Sequence, residues 1–433
     1  MSRETKSRKL NKYQKKNRIK KIYILAILTV IFCNLGIKGV LADDELENLE
    51  EREEIQQQIE EASSEITDEP NINSRAAVVM DRKSKMTVYS KHANERRPMA
   101  STTKIMTAIV VLENGRLEDV VEVSKKAAGI GGSRLGLKTG DKITVNDLLY
   151  GLMLCSGNDA AIALSEYIGG SVQGFADKMN AKAKELNLKN THFVVPHGLD
   201  NPEHYTTAYE LALMADYGLK NEKFAKIVQT QVYTLSINGY AKTIHNTNEL
   251  LGNLEGVKGV KTGFTNGAGR CLVTYIQRGG EEYISVVLGA DTKKFRTKDS
   301  IKIIEYAFTN YSSYDIRTKV EEEFKQWKEM NEKRIQINKG EQTSPELILS
   351  PLNYSTIPVK KTKENAVKIE ITSLNYLEAP VAEETTVGTL RVKIGEEIIE
   401  NLEIKTKGRI EKKNVFFYWK ELIGKYPRLL DDI

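Results

Sequence analysis

Between residues 71 and 311, strand-like segments lie at the two ends and helix-like segments between them. No other feature of this 433-residue chain restricts its fold as much. Arg75–Val79 and Met86–Tyr89 read as two short strands around the turn Asp81-Arg-Lys-Ser-Lys85. From Ser101 to Glu113 the apolar residues Ile105, Met106, Ala108, Ile109 and Leu112 recur at helical spacing, and Asn114-Gly115 ends the run. Further helices are predicted at Thr144–Leu154, Asp159–Ile168, Phe175–Leu186 and Thr207–Leu219. Val232–Ile237, Arg270–Ile276 and Tyr283–Leu288 read as strands, and Ser300–Phe308 as a closing helix. The whole is an α+β pattern.

After Tyr311 the texture changes. Glu321–Lys333 is charged and helical in pattern, while Val367–Ile371 and Leu390–Ile394 alternate strictly, as half-buried strands do. Residues 312–410 are therefore expected to form a small β-rich domain without a catalytic cluster. In the tail, residues 411–433, the residues Val415, Tyr418, Trp419, Leu422, Ile423 and Tyr426 share one helical face. That face suits either a membrane surface or the protein's own body, and Phe417 on the polar side weakens the membrane case.

The N-terminus sets the compartment. Residues 1–21 hold ten Lys/Arg and one acid, Glu4, and Ile22–Ile37 is almost wholly apolar. Val40-Leu41-Ala42 then supplies small residues for cleavage, so residues 1–42 read as a secretory signal peptide; the alternative is an uncleaved anchor. Either way the remainder is expected outside the cytoplasm, attached to the outer face of the membrane if the tail binds it. The formal charge of +5 is thereby redistributed: residues 1–42 carry +10, and the rest −5. Residues 43–70 hold thirteen acids and one base, Arg52, too polar for a core and read as a disordered or helical tether. The body that follows is mildly basic, which suits an anionic polymer outside the cell. Cys155 and Cys271 remain after the signal, as two small hydrophobes or as a bridge if their segments meet.

Three short motifs carry chemistry. Ser101-Thr-Thr-Lys104 places a hydroxyl and an amine on one face at the start of a helix. A serine needs a base to become a nucleophile, and a lysine is a base only if its pKa falls. Ser156-Gly157-Asn158 precedes a helix; it reads as a cap, or as a second hydroxyl and a substrate-binding amide. Lys-Thr-Gly occurs at 138–140, where it reads as a turn, and at 261–263, before a strand. Lys261, Thr262 and Gly263 are chosen as functional, because a strand edge there can dock a peptide by β-addition. The five histidines show no His-Glu-x-x-His, and neither metal nor cofactor is expected.

This ordered set resembles the serine D-Ala-D-Ala carboxypeptidases, the low-molecular-mass penicillin-binding proteins of peptidase family S11. Gly136-Leu-Lys-Thr-Gly-Asp141, Leu148-Leu-Tyr-Gly-Leu-Met153, Pro196-His-Gly-Leu199, His204-Tyr-Thr-Thr-Ala208 and Gly267-Ala-Gly269 extend the likeness from Arg75 to Phe308. It implies a β-lactamase/transpeptidase-like catalytic domain over 71–311, an antiparallel sheet with helices on both sides. It also implies peptidoglycan stem peptides as substrates and β-lactams as inhibitors. Ser101 would attack the penultimate D-Ala carbonyl with Lys104 as base, and Ser156 would relay a proton to the leaving D-Ala. Asn158 would hold substrate, Lys261 would assist proton traffic, and Thr262 and Arg296 would bind the terminal carboxylate. The N–H groups of Ser101 and Phe264 would form the oxyanion hole. Phe264 stands where better-known members often carry histidine.

Rivals remain. A class A β-lactamase positions water with a glutamate, and Glu185-Leu-Asn-Leu-Lys-Asn190 lacks the Glu-x-x-Leu-Asn spacing. Endopeptidase or transpeptidase action depends on pocket detail, and a non-enzymatic wall sensor would only acylate.

Overall fold

A five-stranded antiparallel sheet joins the two ends of the first domain, in the order Thr87–Lys91, Ala76–Asp81, Glu281–Ala290, Gly269–Arg278, Val257–Thr265. The computed structural model describes residues 53–61 and 68–425; the signal-peptide reading of residues 1–42 lies outside them. Within the acidic segment, residues 53–61 are helical.

The strand Ala76–Asp81 pairs with Glu281–Ala290 over six residues, Val78 opposite Val286. Both strands are buried along most of their length because helices cover both faces, so they read as continuous apolar runs rather than alternating ones. Val78, Val260, Cys271, Val273 and Val286 face one core with the helices Lys104–Asn114, Val145–Met153, Asn158–Gly169 and Ala208–Leu219. Ala77, Val79, Leu272, Ile276 and Val287 face a second core against Ile301, Ile304 and Ala307 of the closing helix Lys293–Asn310. The helix Asn158–Gly169 ends, as its glycines predict, with Gly170 in the left-handed conformation.

The strand expected at Val232–Ile237 forms, but not in this sheet. It pairs only with Tyr240–His245 in a separate hairpin. The reason is its burial: Val232 and Tyr240 are exposed, and the hairpin is tied to the helix Val145–Met153 by Tyr233 stacked on Tyr150 and bonded to Asp147.

Beyond Tyr311, a four-stranded antiparallel sheet runs Leu347–Leu349, Glu397–Thr406, Thr386–Ile394, Val367–Ser373. Its alternating Val367, Leu390, Val392 and Leu402 pack against Ile316 and Val320 of the helix Ile316–Asn331. The last helix, Val415–Lys425, leaves Val415, Phe416, Tyr418, Trp419 and Leu422 exposed. Of the residues predicted to share one face, Val415, Tyr418, Trp419 and Leu422 are therefore left uncovered by the described residues, and Tyr426 lies outside them. No helix among the described residues is long and apolar enough to cross a membrane.

Candidate active site

Ser101 lies in a single 3-10 turn, Ala100–Thr103, that runs straight into the helix Lys104–Asn114. Ala100, just before it, has φ +48, a conformation that costs a residue with a Cβ about 1–2 kcal/mol. Several contacts hold the turn in place. Val194 N–H donates to His204 Nδ1, so the ring proton sits on Nε2 and is donated to Thr103 Oγ1 at 2.8 Å. The Thr103 hydroxyl in turn donates to Ala100 O at 2.7 Å. Burial pushes His204 down to about 4, which keeps the ring neutral and this relay intact near neutral pH.

Lys104 is fully buried, and its Nζ lies 2.9 Å from Ser101 Oγ, 2.8 Å from Asn158 Oδ1 and 2.8 Å from His197 O. Burial, and after it the charge of Lys261, holds Lys104 well below the usual lysine range. A neutral amine has two hydrogens and one lone pair. Asn158 Oδ1 and the His197 carbonyl can only accept, so they take the two hydrogens. The lone pair is left for Ser101 Oγ, the arrangement a general base requires.

Asn158 is held from its other end. Its Nδ2 donates to Gly131 O and its backbone N–H to Ser133 O. Next to it, the buried Asp159 carboxylate accepts the N–H groups of Leu135, Gly136 and Leu137 at 2.7–3.0 Å. Asn158 and Asp159 thus clamp the 131–137 loop beside the lysine. Ser156 is buried with φ +61, so it sits on a turn rather than in the helix it precedes.

The opposite wall is the edge strand Val257–Thr265. An added Cβ on Gly263 would stand 3.1 Å from Ser101 N and 3.2 Å from Met99 O, so only glycine lets this strand approach the nucleophile's turn so closely. Lys261 is 1% exposed and its Nζ has no hydrogen-bond partner among the described residues. Burial pushes it down to about 7, with the Arg296 charge adding to the effect. The Thr262 hydroxyl meets that of Thr247 at 2.7 Å. By contrast, residues 138–140 form a turn, with Lys138 N–H donating to Asp141.

Arg296, expected to meet the substrate carboxylate, has a partner within the protein. It is 4% exposed, and its guanidinium is engaged by the equally enclosed Glu249 carboxylate, which also accepts from Thr297. Burial alone would raise the Glu249 pKa, but the Arg296 charge and the Thr297 hydroxyl outweigh it, so this carboxylate stays ionised. The Arg296–Glu249 contact leaves Arg296 Nε and Glu249 Oε2 buried without a hydrogen-bond partner among the described residues. Cys155 and Cys271 are free thiols, and burial raises both pKa values, the second to about 11. Glu185, the residue weighed as a lactamase glutamate, ion-pairs with Lys182 at the end of the helix Val172–Glu185. The His197 carbonyl, the Thr103–His204 relay, Asp159, Thr247 and Glu249 were not singled out by sequence reasoning. Pro196-His-Gly-Leu199 was noticed only as a likeness.

Comparison with known proteins points to one family. Residues 63–292 match the peptidase S11 model described as D-alanyl-D-alanine carboxypeptidase. Residues 324–412 match that of the penicillin-binding protein 5 C-terminal domain. The chain is 35% identical over 361 residues to the D-alanyl-D-alanine carboxypeptidase DacF of Bacillus subtilis, covering 82% of this chain and 90% of that one. It is 39% identical over 257 residues to a Streptomyces D-alanyl-D-alanine carboxypeptidase, covering 55% and 88%. Among solved structures, the carboxypeptidase DacD of Francisella tularensis superposes with a TM-score of 0.65 at 28% identity, over 80% of this chain and 95% of that one. The Streptomyces K15 DD-transpeptidase does so at 0.54 and 38%, over 56% and 100%.

Proposed function

The chain belongs to the D-alanyl-D-alanine carboxypeptidase family, peptidase S11, and from that premise we propose that Ser101 is its nucleophile and Lys104 the base that activates it. The protein is a serine-type carboxypeptidase that removes the terminal D-Ala from peptidoglycan pentapeptides through an acyl-enzyme. One observation carries the assignment of roles: Lys104 Nζ lies 2.9 Å from Ser101 Oγ and 2.8 Å from two acceptors, Asn158 Oδ1 and the His197 carbonyl, so a neutral amine there turns its lone pair to Ser101.

In this reading Ser101 Oγ attacks the penultimate carbonyl as its proton passes to Lys104 Nζ. The N–H groups of Ser101 and Phe264 hold the developing oxyanion, each such donor typically worth about 10²–10³ in rate. The proton held on Lys104 is relayed by the Ser156 hydroxyl, with Lys261 assisting, to the departing D-Ala amine, which leaves Lys104 neutral again. Asn158 binds the peptide backbone, and Thr262 and Gly263 line it along the strand edge. Lys104 then takes a proton from water for deacylation. β-Lactams acylate the same Ser101. The likeness to the Streptomyces DD-transpeptidase supports a second outcome, transfer of the acyl group to an amine instead of water.

Ser101→Ala is expected to abolish D-Ala release from a pentapeptide ending in D-Ala-D-Ala, a loss on the order of 10⁵. Release at the wild-type rate would reject this nucleophile, and rapid penicillin turnover without D-Ala release would favour a β-lactamase.

The wider reading is an extracytoplasmic wall enzyme with a signal at 1–42, a catalytic domain at 71–311, a β-rich domain at 312–410 and a membrane-binding tail at 411–433. The exposed Val415, Phe416, Tyr418, Trp419 and Leu422 support the tail's role. Deleting residues 414–433 should move the processed protein from the membrane to the soluble fraction. Unchanged sedimentation with membranes would reject the anchor.

A further inference from the structure

We propose that the loop facing the edge strand is a basic rim, in which Lys126, Arg134, Lys138 and Lys242 select acyl donors that carry a carboxylate upstream of D-Ala-D-Ala. The inference rests on the carboxypeptidase reading of the same site and adds a substrate feature to it.

Residues 123–140 contain four cations, Lys125, Lys126, Arg134 and Lys138, and no acid. The loop is fixed from beneath by the site itself. Ser133 O accepts the Asn158 N–H, and Leu135 N–H donates to Asp159, so Arg134 is held between two anchors. Burial then alternates: Leu135 and Leu137 are buried, whereas Arg134, Gly136 and Lys138 are exposed. A further cation comes from a different element. Lys242, on the strand Tyr240–His245, donates from Nζ to Leu135 O. Its Nζ lies 3.1 Å from where a Cβ on Gly136 would stand, and Gly136 has φ +90, so a side chain there would be strained and would crowd the amine. Lys126 is placed by its field. Burial first, then the charges of Lys104, His204 and Lys126, depress the His197 ring to about 3, and the His197 carbonyl is bonded to Lys104.

None of these four cations forms an ion pair among the described residues. Asp159 is buried beneath the loop under three of its N–H groups, and Asp200 is engaged by the Thr265 hydroxyl and the Gly267 N–H at the end of the edge strand. A row of unpaired cations along a cleft concentrates anionic substrate and discriminates against neutral ones. A donor laid along the edge strand advances about 3.3 Å per residue. A carboxylate one to three residues before the scissile bond therefore lies within about 10 Å of Ser101, beside the loop. Gathering the cations on the loop that Asn158 and Asp159 anchor, next to the nucleophile, favours a feature of the substrate over a polyanion spread across the surface.

The test measures charge preference rather than activity. Two pentapeptide pairs each exchange one carboxylate for its amide: D-isoglutamate for D-isoglutamine at the second residue, and meso-diaminopimelate for its ε-carboxamide at the third. A penicillin pair, carbenicillin and benzylpenicillin, differs by a carboxylate on the acyl side chain alone. D-Ala release gives kcat/KM for the peptides, and mass spectrometry gives the acylation rate of Ser101 for the penicillins. Replacing both exposed residues, Lys126→Gln with Arg134→Gln, should lower the carboxylate-to-neutral ratio about 3- to 10-fold in at least one peptide pair. The pair that responds identifies the residue that carries the anion. Arg134→Glu should lower the same ratio further. Raising the salt from about 0.05 M to about 0.5 M should lower it in the wild type and change it little in the double variant. A ratio that the double variant leaves unchanged in both peptide pairs would overturn the proposal. If that variant also loses retention on an anionic wall polymer, the patch is a polymer-binding surface instead. If the wild type releases D-Ala from no peptide yet is acylated by penicillin, the carboxypeptidase reading fails, and the penicillin ratio in the double variant still decides the role of the rim.

Discussion

Lys104→Met is expected to slow acylation of Ser101 by benzylpenicillin by about 10²–10⁴-fold, the range a positioned general base supplies. Methionine fills the same buried space with a thioether that is not basic enough to take a proton, so Ser101 keeps its turn and loses only its proton acceptor. Mass spectrometry of the acyl-enzyme reads the rate, and circular dichroism reports whether the fold survives. The same group sets the pH dependence. Lys104 works as a base only when neutral, and its pKa lies well below the usual lysine value, first through burial and then through the charge of Lys261. Acylation should therefore rise with pH along an acid limb and be lost as falling pH protonates the amine. Lys261→Gln removes the second cause and leaves the first, so the limb should move to higher pH. A limb that stays put, or moves to lower pH, would show that the two lysines do not act on one another. Lys261 also adds a stability effect of fixed sign. Unfolded, it holds its proton to about 10.4, whereas folded it releases it at about 7. The unfolded chain binds more protons between those values, so stability should rise with pH across that window.

What the sequence made legible was whatever is written in local pattern. Val367–Ile371 and Leu390–Ile394 alternate because one face of their sheet is wet, and the structure pairs them residue for residue. The second Lys-Thr-Gly could be told from the first because a strand follows it, whereas Asp141 closes the first into a turn. The hairpin at Val232–Ile237 was readable as a strand, but not as one outside the main sheet, since strand pattern does not name its partner. The site shows the same limit. Ser101, Lys104 and Asn158 are visible through spacing. The third partner of Lys104 is a backbone carbonyl, which any residue at position 197 would supply and no side-chain motif marks. Glu249 is 47 residues from Arg296, and nothing in either neighbourhood says that the two neutralise one another. Arg270 was seen only as the first residue of a strand. Its place over Phe264 is a property of register, which the sheet sets and the sequence alone does not reveal.

Gly198→Ala is expected to cost about 2–5 kcal/mol of stability and to slow acylation at least about 100-fold in the molecules that still fold. Gly198 has φ +85, and an added Cβ would stand 1.8 Å from Ala100 O, 2.5 Å from Ala100 C and 2.6 Å from Thr103 Oγ1. None of these atoms can yield alone. Ala100 already holds a left-handed backbone, its carbonyl accepts the Thr103 hydroxyl, and that hydroxyl accepts from His204. Relief requires the whole turn carrying Ser101 to move by more than an ångström, which takes Oγ away from Lys104 and the Ser101 N–H away from the edge strand. Gly170→Ala separates the two consequences. Gly170 also has positive φ, +68, but an added Cβ there meets nothing within 4 Å. That variant should bear only the conformational cost, about 1–2 kcal/mol, and keep the wild-type acylation rate. Thermal unfolding and the benzylpenicillin acylation rate, measured on both variants, test the argument. If Gly198→Ala loses stability yet acylates as fast as Gly170→Ala, the packing of residue 198 does not position the nucleophile.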